Sequence, residues 1–309
     1  MSKHIIAGFA TCFLVIIFCS SGFAIQTNEM FSEEIKVENI IDESLFSTVS
    51  TTDVFTITFD GEQRQYSLED LQSFETVTGS GGRLKVTGSV SGPYDYTGVS
   101  ISSLLEEFQS APSSVDLVSI SDDGYIFKFT HDQIQGNVMI YDEEGNEIGM
   151  GGVDMILAYA EDGEPLTHGG PFRIAWVNDN DAITDAFLWP KYLEEIEFLH
   201  PSSDETSPSM NIDRPDDAIY LFDSELVSYV MPLIIGDITI EVSAEDNAND
   251  IAKSMIVIDE KIKTKQIGGS LRWNWDEHVL GSKTIQIIAY DTAGNVETID
   301  KTVMIYNPF

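Results

Sequence analysis

The segment from Gly163 to Lys191 constrains this chain of 309 residues more than any other part of its sequence. It begins GEPLTHGGPFR, where glycine and proline favour a tight turn and the last letter is Arg173. Lys191 follows in the sequence WPKYLEEI. The chain has five arginines and a net charge of −36, so a basic pair beside a glycine-rich turn is a local exception. This combination favours binding of an anion, because glycine lets the backbone approach closely and the two cations attract negative charge.

The acidic composition limits the partners of the chain. Its 52 aspartates and glutamates, against 16 lysines and arginines, are spread along the sequence. Such a chain lacks the basic surface that nucleic acid requires, and anionic lipid repels it. Because dissolved ions screen this self-repulsion, we expect a salty or divalent-rich habitat and lower stability at low salt.

The first 24 residues resemble a secretory signal peptide. Lys3 and His4 form a polar start, an apolar run extends from Ile5 to Phe18, and small residues near Ala24 offer a cleavage site. The alternative is a membrane anchor, but the run is short of the about 20 residues that a span requires. We therefore expect a secreted or cell-surface protein with no transmembrane span in the mature chain.

Both cysteines of the chain, Cys12 and Cys19, lie in this leader. The mature chain would then have no thiol. Disulfide bonds, thiolate metal ligands and cysteine nucleophiles are excluded from it.

Composition and strand pattern divide the chain into five segments. We predict a signal peptide (1–24), a flexible stalk (25–52), a first domain (53–200), a linker rich in serine, proline and aspartate (201–215) and a second domain (216–309). Short helices among many strands indicate the α+β class for the first domain. Regularly spaced strands indicate a small β-sandwich for the second.

Four ordered pieces of the first domain resemble the molybdopterin-binding domain of the sulfite oxidase family. These pieces are Tyr96–Leu105, Leu157–Tyr159 with Gly163–Leu166, His168–Arg173 and Lys191–Ile196. The resemblance implies a sulfite-oxidase-type fold, a molybdopterin cofactor and oxidoreductase chemistry. In the second domain, the sequence AYDTAGN at Ala289–Asn295 resembles bacterial and archaeal Ig-like modules.

The same resemblance implies a set of cofactor-binding residues. His168, Arg173 and Lys191 match positions that contact the pterin and its phosphate, and Gly169 and Gly170 would offer backbone N–H groups to it. The residues by themselves also permit a simpler interpretation. Arg173 and Lys191 could form ion pairs with a nearby glutamate, and the glycines could form an ordinary turn. The glutamates within reach in the sequence are Glu164, Glu194 and Glu195.

The chain departs from the family at the metal ligand. Family enzymes hold molybdenum through a cysteine upstream of the piece that here begins at Tyr96, and the matching stretch, Arg83–Gly92, offers only Thr87, Ser89 and Ser91. A hydroxyl is a poor substitute for a thiolate on molybdenum. The leader also lacks the arginine pair of exported, cofactor-loaded enzymes. We therefore predict no metal ligand and assign no catalytic residue.

Two functions follow from these observations. In the first, the domain is a non-catalytic module that binds a phosphate-bearing or pterin ligand, or a protein partner at the cell surface. In the second, it is a molybdopterin-dependent oxidoreductase that performs oxygen-atom or electron transfer.

Other metal chemistry has weaker support. The histidines after the leader lack the spacing of a zinc site. Oxygen ligands for calcium occur in Asn178–Asp181 and in the set Asp246, Asp291 and Asn295, although neither has the spacing of an EF-hand. Solvated acidic turns account for both groups equally well.

Overall fold

The structure is a computed structural model that describes residues 54–308 of the chain. The predicted signal peptide, 1–24, and the predicted stalk, 25–52, lie outside the described residues. All described residues fall in one compact unit. None of the helices in this part of the chain is long and apolar enough to cross a membrane.

Residues 55–199 form two sheets. Their strands are β1 (Phe55–Phe59), β2 (Glu62–Tyr66), β3 (Thr76–Leu84), β4 (Val90–Ser100), β5 (Asp116–Ser121), β6 (Ile126–Phe129), β7 (Met139–Tyr141), β8 (Glu147–Met150), β9 (Asp154–Glu161), β10 (Glu164–Pro165), β11 (Arg173–Val177), β12 (Ala182–Asp185) and β13 (Leu193–Leu199). A five-stranded sheet has the order β2-β1-β13-β5-β6, with β1 and β13 parallel. An eight-stranded sheet has the order β10-β9-β4-β3-β12-β7-β8, and β11 also pairs with β9. One apolar core joins the two sheets.

Residues 209–307 form two further sheets. Their strands are β14 (Ser209–Arg214), β15 (Ala218–Leu221), β16 (Ser224–Ser228), β17 (Leu233–Ile235), β18 (Ile238–Glu245), β19 (Ile251–Ile258), β20 (Lys261–Ile267), β21 (Ser270–Trp275), β22 (Val279–Asp291) and β23 (Val296–Asn307). A three-stranded sheet has the order β14-β18-β21, and a seven-stranded sheet has the order β16-β15-β17-β23-β22-β19-β20. Strand β14 lies inside the segment 201–215, which we predicted to be a linker, and pairs with β18. All of the domain boundaries stay a prediction.

The predicted fold class, an α+β domain of sulfite-oxidase type followed by an Ig-like sandwich, is wrong. The described residues are nearly all β, and their α-helices are three short segments: α1 (Leu68–Gln72), α2 (Ile101–Glu106) and α3 (His131–Ile134). In the piece Tyr96–Leu105, helix occupies only the second half. Strand β4 continues to Ser100, because Val99 and Ser100 pair with Leu157 and Ile156 of β9. Helices this short cannot bury a face wide enough to form a layer of their own.

The seven-stranded sheet is apolar on both faces. One face shares a core with the three-stranded sheet, in which Ile240 of β18 clusters with residues such as Ile285. Part of the other face packs against the five-stranded sheet, where Val257 and Ile288 cluster with Val118. Residues 55–199 and 209–307 therefore share a buried apolar contact.

A buried ion cluster crosses this contact. Glu195 of β13 is fully buried and forms ion pairs with Lys253 of β19 and with Lys265 of β20, the latter at 2.9 Å. Thr58 donates a hydrogen bond of 3.0 Å to the same carboxylate. Burial by itself would raise the pKa of Glu195, but the two lysines outweigh it and lower the pKa below its ordinary value.

Candidate functional site

Backbone pairing brings Arg173 and Lys191 together. Arg173 is the first residue of β11, and it forms an isolated β-bridge with Lys191. The N–H of Ile174 donates to the C=O of Pro190 at 3.0 Å, which reinforces the pairing. Directly paired residues project from the same face, so the two basic side chains point the same way.

Both side chains line a cleft of about 480 Å³. Arg83 near the end of β3 and Lys85 just after it also line the cleft, two positions apart in the chain. The remaining lining residues are mostly polar or aromatic: Ser91, Ser121, Asp123, Tyr125, His168, Ala186, Phe187, Trp189 and Pro190. The described residues that line the cleft therefore include four cations and one carboxylate, Asp123.

The two arginines meet at a buried tryptophan. The Cζ atoms of Arg83 and Arg173 lie 5.6 and 5.5 Å from the ring of Trp189. The indole N–H of Trp189 donates to Thr184 Oγ1 at 2.8 Å, which fixes the ring. Arg173 also lies over the ring of Tyr96, at 5.7 Å. Aromatic faces attract guanidinium groups, so these rings hold both arginines in place without neutralising them.

Arg173 is a charged group in a buried position. It is only 1% exposed. Burial, the largest cause, and the neighbouring Arg83 lower the pKa of Arg173 to about 10, from an ordinary value of 12.5. The side chain therefore remains charged at neutral pH, and its charge is costly to keep without a counter-ion.

The basic residues of the cleft differ from the other basic residues of the described chain. Among residues 54–308, every lysine and arginine outside the cleft except Lys261 forms an ion pair, whereas Arg83, Lys85, Arg173 and Lys191 form none. In so acidic a chain, counter-ions are abundant. Of the five basic residues in 54–308 that form no ion pair, four therefore line the cleft.

Three buried polar atoms at the cleft also have no hydrogen-bond partner among the described residues. They are Nε of Arg83, Nε of Arg173 and Oγ of Ser121. Buried donors are nearly always paired in folded proteins. Three unpaired donors beside one cleft indicate a site built for an acceptor from outside the chain.

The residues predicted from the sequence lie at or near this cleft, with one exception. His168, Arg173 and Lys191 line it. Gly169 contacts both basic side chains. Its φ is +82°, and a Cβ atom built there would lie 3.2 Å from Lys191 Cβ and 3.5 Å from a terminal nitrogen of Arg173. Only glycine allows this close approach without strain. Gly170 instead borders a separate depression and packs against the backbone of the preceding turn.

The alternative ion pairs are absent among the described residues. Glu195 pairs with Lys253 and Lys265, and Glu194 lies 3.7 Å from Lys265. Neither glutamate pairs with Arg173 or Lys191. The local-pairing interpretation of the two basic residues therefore has no support in the structure.

Sequence reasoning missed Arg83, Lys85 and Ser121. The sequence did contain a signal for the first two. Arg83 and Lys85 are two positions apart, as residues on one face of a strand are, and two basic residues so close together are rare in this acidic chain. Ser121 gave no signal, because only the pairing of β5 with β13 brings it near the motif.

The cleft suits the phosphate of a molybdopterin cofactor but not its metal. The unpaired cations and donors suit a phosphate or another anionic group. The metal requires a thiolate, and the chain has no cysteine after Cys19. Of the hydroxyl residues in the stretch Arg83–Gly92, Ser91 lines the cleft, but its hydroxyl is protonated at neutral pH and is a poor molybdenum ligand.

A group of three carboxylates lies elsewhere in the structure. Asp204, Asp246 and Asp291 each place one oxygen within 4.8 Å of the others. Asp291 Oδ1 accepts backbone hydrogen bonds from Ala293 and Asn295 at 2.9 and 2.8 Å. The turns of the chain therefore account for the position of this carboxylate.

Comparison with known proteins does not identify the chain. No protein family matches its sequence, and no characterised protein does either. Solved structures with some similarity include the sulfane dehydrogenase SoxCD from Paracoccus pantotrophus, which is 15% identical over 81% of this chain and 70% of that one, with a TM-score of 0.37. Fibronectin(III)-like modules of Clostridium thermocellum CbhA are 15% identical over 33% of this chain and 100% of theirs, with a TM-score of 0.26. At these identities and TM-scores, neither similarity supports an argument about fold or function, and the resemblance to the sulfite oxidase family rests on the motif residues alone.

Proposed function

We propose that the protein is an exported binding protein whose cleft holds an organic anion, such as a phosphate-bearing pterin, without a catalytic metal. The observation that carries this proposal is the meeting of four unpaired cations, Arg83, Lys85, Arg173 and Lys191, in one cleft of a chain with a net charge of −36. An anion is the counter-ion that this arrangement lacks.

The energetics favour a ligand with concentrated negative charge. The Nε groups of Arg83 and Arg173 are buried donors, and each hydrogen bond from a charged donor contributes about 1.5–3 kcal/mol. An anion bound there would also relieve the repulsion between the two guanidiniums. The exposed ends of Lys85 and Lys191 would then bind the outer part of the ligand.

The rim of the cleft favours a ligand with a flat ring. Tyr125 and Phe187 line the cleft and are about half exposed, at 49% and 55%. Exposed aromatic rings stack well on planar groups. A pterin carries both such a ring and a phosphate, and it is the ligand that the motif resemblance implies.

The proposal is tested by calorimetric titration of the full chain with inorganic pyrophosphate. We expect saturable binding at one site and a matching rise in Tm. The Arg83→Gln variant, which removes the guanidinium charge and keeps a polar group near the position of Nε, should bind at least tenfold more weakly. Absence of binding by the unmodified protein would overturn the proposal.

The alternative function, a molybdopterin-dependent oxidoreductase, makes a different prediction. His168, Arg173 and Lys191 would hold the pterin, and the metal would supply oxygen-atom or electron transfer. Protein purified from its native host should then contain stoichiometric molybdenum or tungsten by elemental analysis. Pterin fluorescence without either metal would support a metal-free binding protein, and stoichiometric metal would contradict it.

We further propose a location and an arrangement. Residues 1–24 would direct export, and residues 216–309 would display the cleft-bearing part, 53–200, to a ligand or protein partner at the cell surface. Fractionation of the native host tests this, because full-length protein confined to the cytoplasm would contradict it.

A further inference from the structure

The outer face of the seven-stranded sheet carries a row of exposed apolar side chains. Leu221 of β15 pairs with Ile235 of β17, Ile235 pairs with Tyr306 of β23, and Tyr306 pairs with Leu280 of β22. Directly paired residues project from the same face of a sheet. Their exposed fractions are 38%, 36%, 55% and 59% in that order. The row therefore crosses four strands and faces solvent.

A second row lies beside the first. Ile219, Leu233 and Met304 pair across β15, β17 and β23, two residues along each strand from the first row. Val227 of the edge strand β16 pairs with Ile219 and is 57% exposed. Side chains two positions apart share a face, so the two rows form one patch.

This patch continues an interface that already exists within the molecule. On the same sheet, Val257 and Ile288 are covered by the five-stranded sheet. An open groove leads from the covered part toward the patch; its lining includes Val257, Ile288, Ser282 and Thr284 and, at its border, the charged residues Asp123, Asp259, Glu260 and Lys283. The apolar part of this face therefore extends beyond the area against which residues 55–199 pack.

Neither apolar row contains a charged side chain. The rows are flanked along β22 and β23 by Ser282, Thr284 and Thr302, which project from the same face, and Asp300 follows beyond Thr302. In a chain with 52 acidic residues, two adjoining rows without a charge are an exception. Along these rows, two copies of the chain can meet without opposing their carboxylates.

We propose that this face is the interface of a homodimer with two-fold symmetry. A two-fold axis places the same rows against each other, so the patch needs no other complementary surface. Its exposed apolar area is on the order of 500 Å², and with the hydroxyl residues around it the face approaches the about 800 Å² per partner of a standard interface. The two outer faces would pack as stacked sheets, about 10 Å apart.

Sedimentation velocity of the full chain tests the dimer. We expect the dimer to tighten as salt rises from about 10 mM to about 1 M, because salt screens the repulsion between two strongly acidic copies while the apolar contact remains. Leu280→Glu and Tyr306→Glu should each raise the dissociation constant roughly a hundredfold, because each buries a carboxylate in the contact.

Ile148→Glu is the matched control, because Ile148 of β8 is 65% exposed and lies in the other half of the chain. It should leave the dissociation constant unchanged, and all three variants should keep the Tm of the unmodified monomer. A chain that stays monomeric at every salt concentration would overturn the proposal. So would a dimer that the two interface variants do not weaken, or that Ile148→Glu weakens equally.

Discussion

Arg173 has three properties that are rarely found together in one side chain of a folded protein. Its guanidinium is buried, charged at neutral pH and without an ion pair among the described residues. The rings of Tyr96 and Trp189 hold it, but a ring face offsets only part of the cost of burying a charge. An anion bound in the cleft, as we propose, would supply the missing interaction.

Lys191 offers the clearest single-residue test, because it is exposed and its loss should not disturb the core. Lys191→Ala should weaken pyrophosphate binding about tenfold, the effect of one charge-assisted hydrogen bond, and leave Tm unchanged. Calorimetric titration measures the affinity, and thermal melting measures the stability.

Lys261→Ala is the matched control for this substitution. Lys261 is also an exposed lysine without an ion pair, but it begins β20 and does not line the cleft. Equal weakening by both substitutions would mean that general charge, and not the cleft, binds the anion.

The family resemblance identified three lining residues. His168 and Arg173 lie close together in the sequence, whereas β11 and β12 separate Arg173 from Lys191, and a β-bridge brings these two together. Arg83 and Ser121 belong to β3 and β5, and only the sheets bring them near. The resemblance therefore predicted three residues that line the cleft, and it could not predict that residues of β3 and β5 converge on them.

At the scale of elements, β13 joins the two halves of the described chain. It pairs with β1 and β5 in the five-stranded sheet, while its Glu195 forms ion pairs with β19 and β20 of the seven-stranded sheet. Removing one partner of a buried ion pair leaves the other charge uncompensated, which is far more costly than losing an exposed pair.

Glu195→Gln should therefore lower the free energy of unfolding by about 3 kcal/mol, because the buried Lys253 keeps only Glu197, at 3.2 Å, as a counter-ion and Lys265 loses its closer one. Glu194→Gln, the adjacent and partly exposed residue, should change it by less than about 0.5 kcal/mol. Urea denaturation of both variants measures the difference. Similar values for the two would contradict a stabilising role for the cluster.

Acid should act on the same cluster. Because the pKa of Glu195 in the folded protein lies below its unfolded value of about 4.5, the ionised carboxylate stabilises the fold above that pH. This stabilisation is lost as the pH falls through the folded pKa. The unmodified protein should lose stability in acid more steeply than Glu195→Gln, as urea denaturation at a series of pH values would measure; parallel profiles would contradict this.

The fold class was mispredicted because the sequence pattern did not show how far each helix and strand extends. The apolar residues Ile101, Leu104 and Leu105 have helical spacing and do form α2, but the segment before them pairs as β4. Helical spacing over so few residues predicts that a turn of helix exists and not how far it extends. Strand alternation, as in Phe55–Phe59, was easier to interpret because each strand is short and bounded by turn residues.

At the scale of the whole molecule, the net charge of −36 dominates. Among residues 54–308, every basic residue outside the cleft except Lys261 forms an ion pair, and carboxylates far outnumber the cations that could pair with them. Self-repulsion of this kind weakens a compact state and is screened by salt within about 10 Å at 0.1 M.

We therefore expect Tm to rise by several degrees between about 10 mM and about 1 M sodium chloride, measured at a protein concentration low enough to keep the chain monomeric. Most of the rise should be complete by about 0.3 M, because screening approaches saturation there, whereas stabilisation by solute exclusion continues to grow with concentration. A Tm that is indifferent to salt would contradict a role for self-repulsion.

The central claim is that the cleft binds an anion through Arg83 and Arg173, and arginine side-chain NMR tests it most directly. The chain has only five arginines, so their Nε–H signals can be resolved and assigned by substitution. On titration with pyrophosphate, we predict that the Nε–H signals of Arg83 and Arg173 shift together and exchange more slowly with water, while that of Arg272, which is exposed and paired with Glu241, stays in place. Unchanged signals of Arg83 and Arg173 at saturating pyrophosphate, or equal shifts of all five, would contradict the claim.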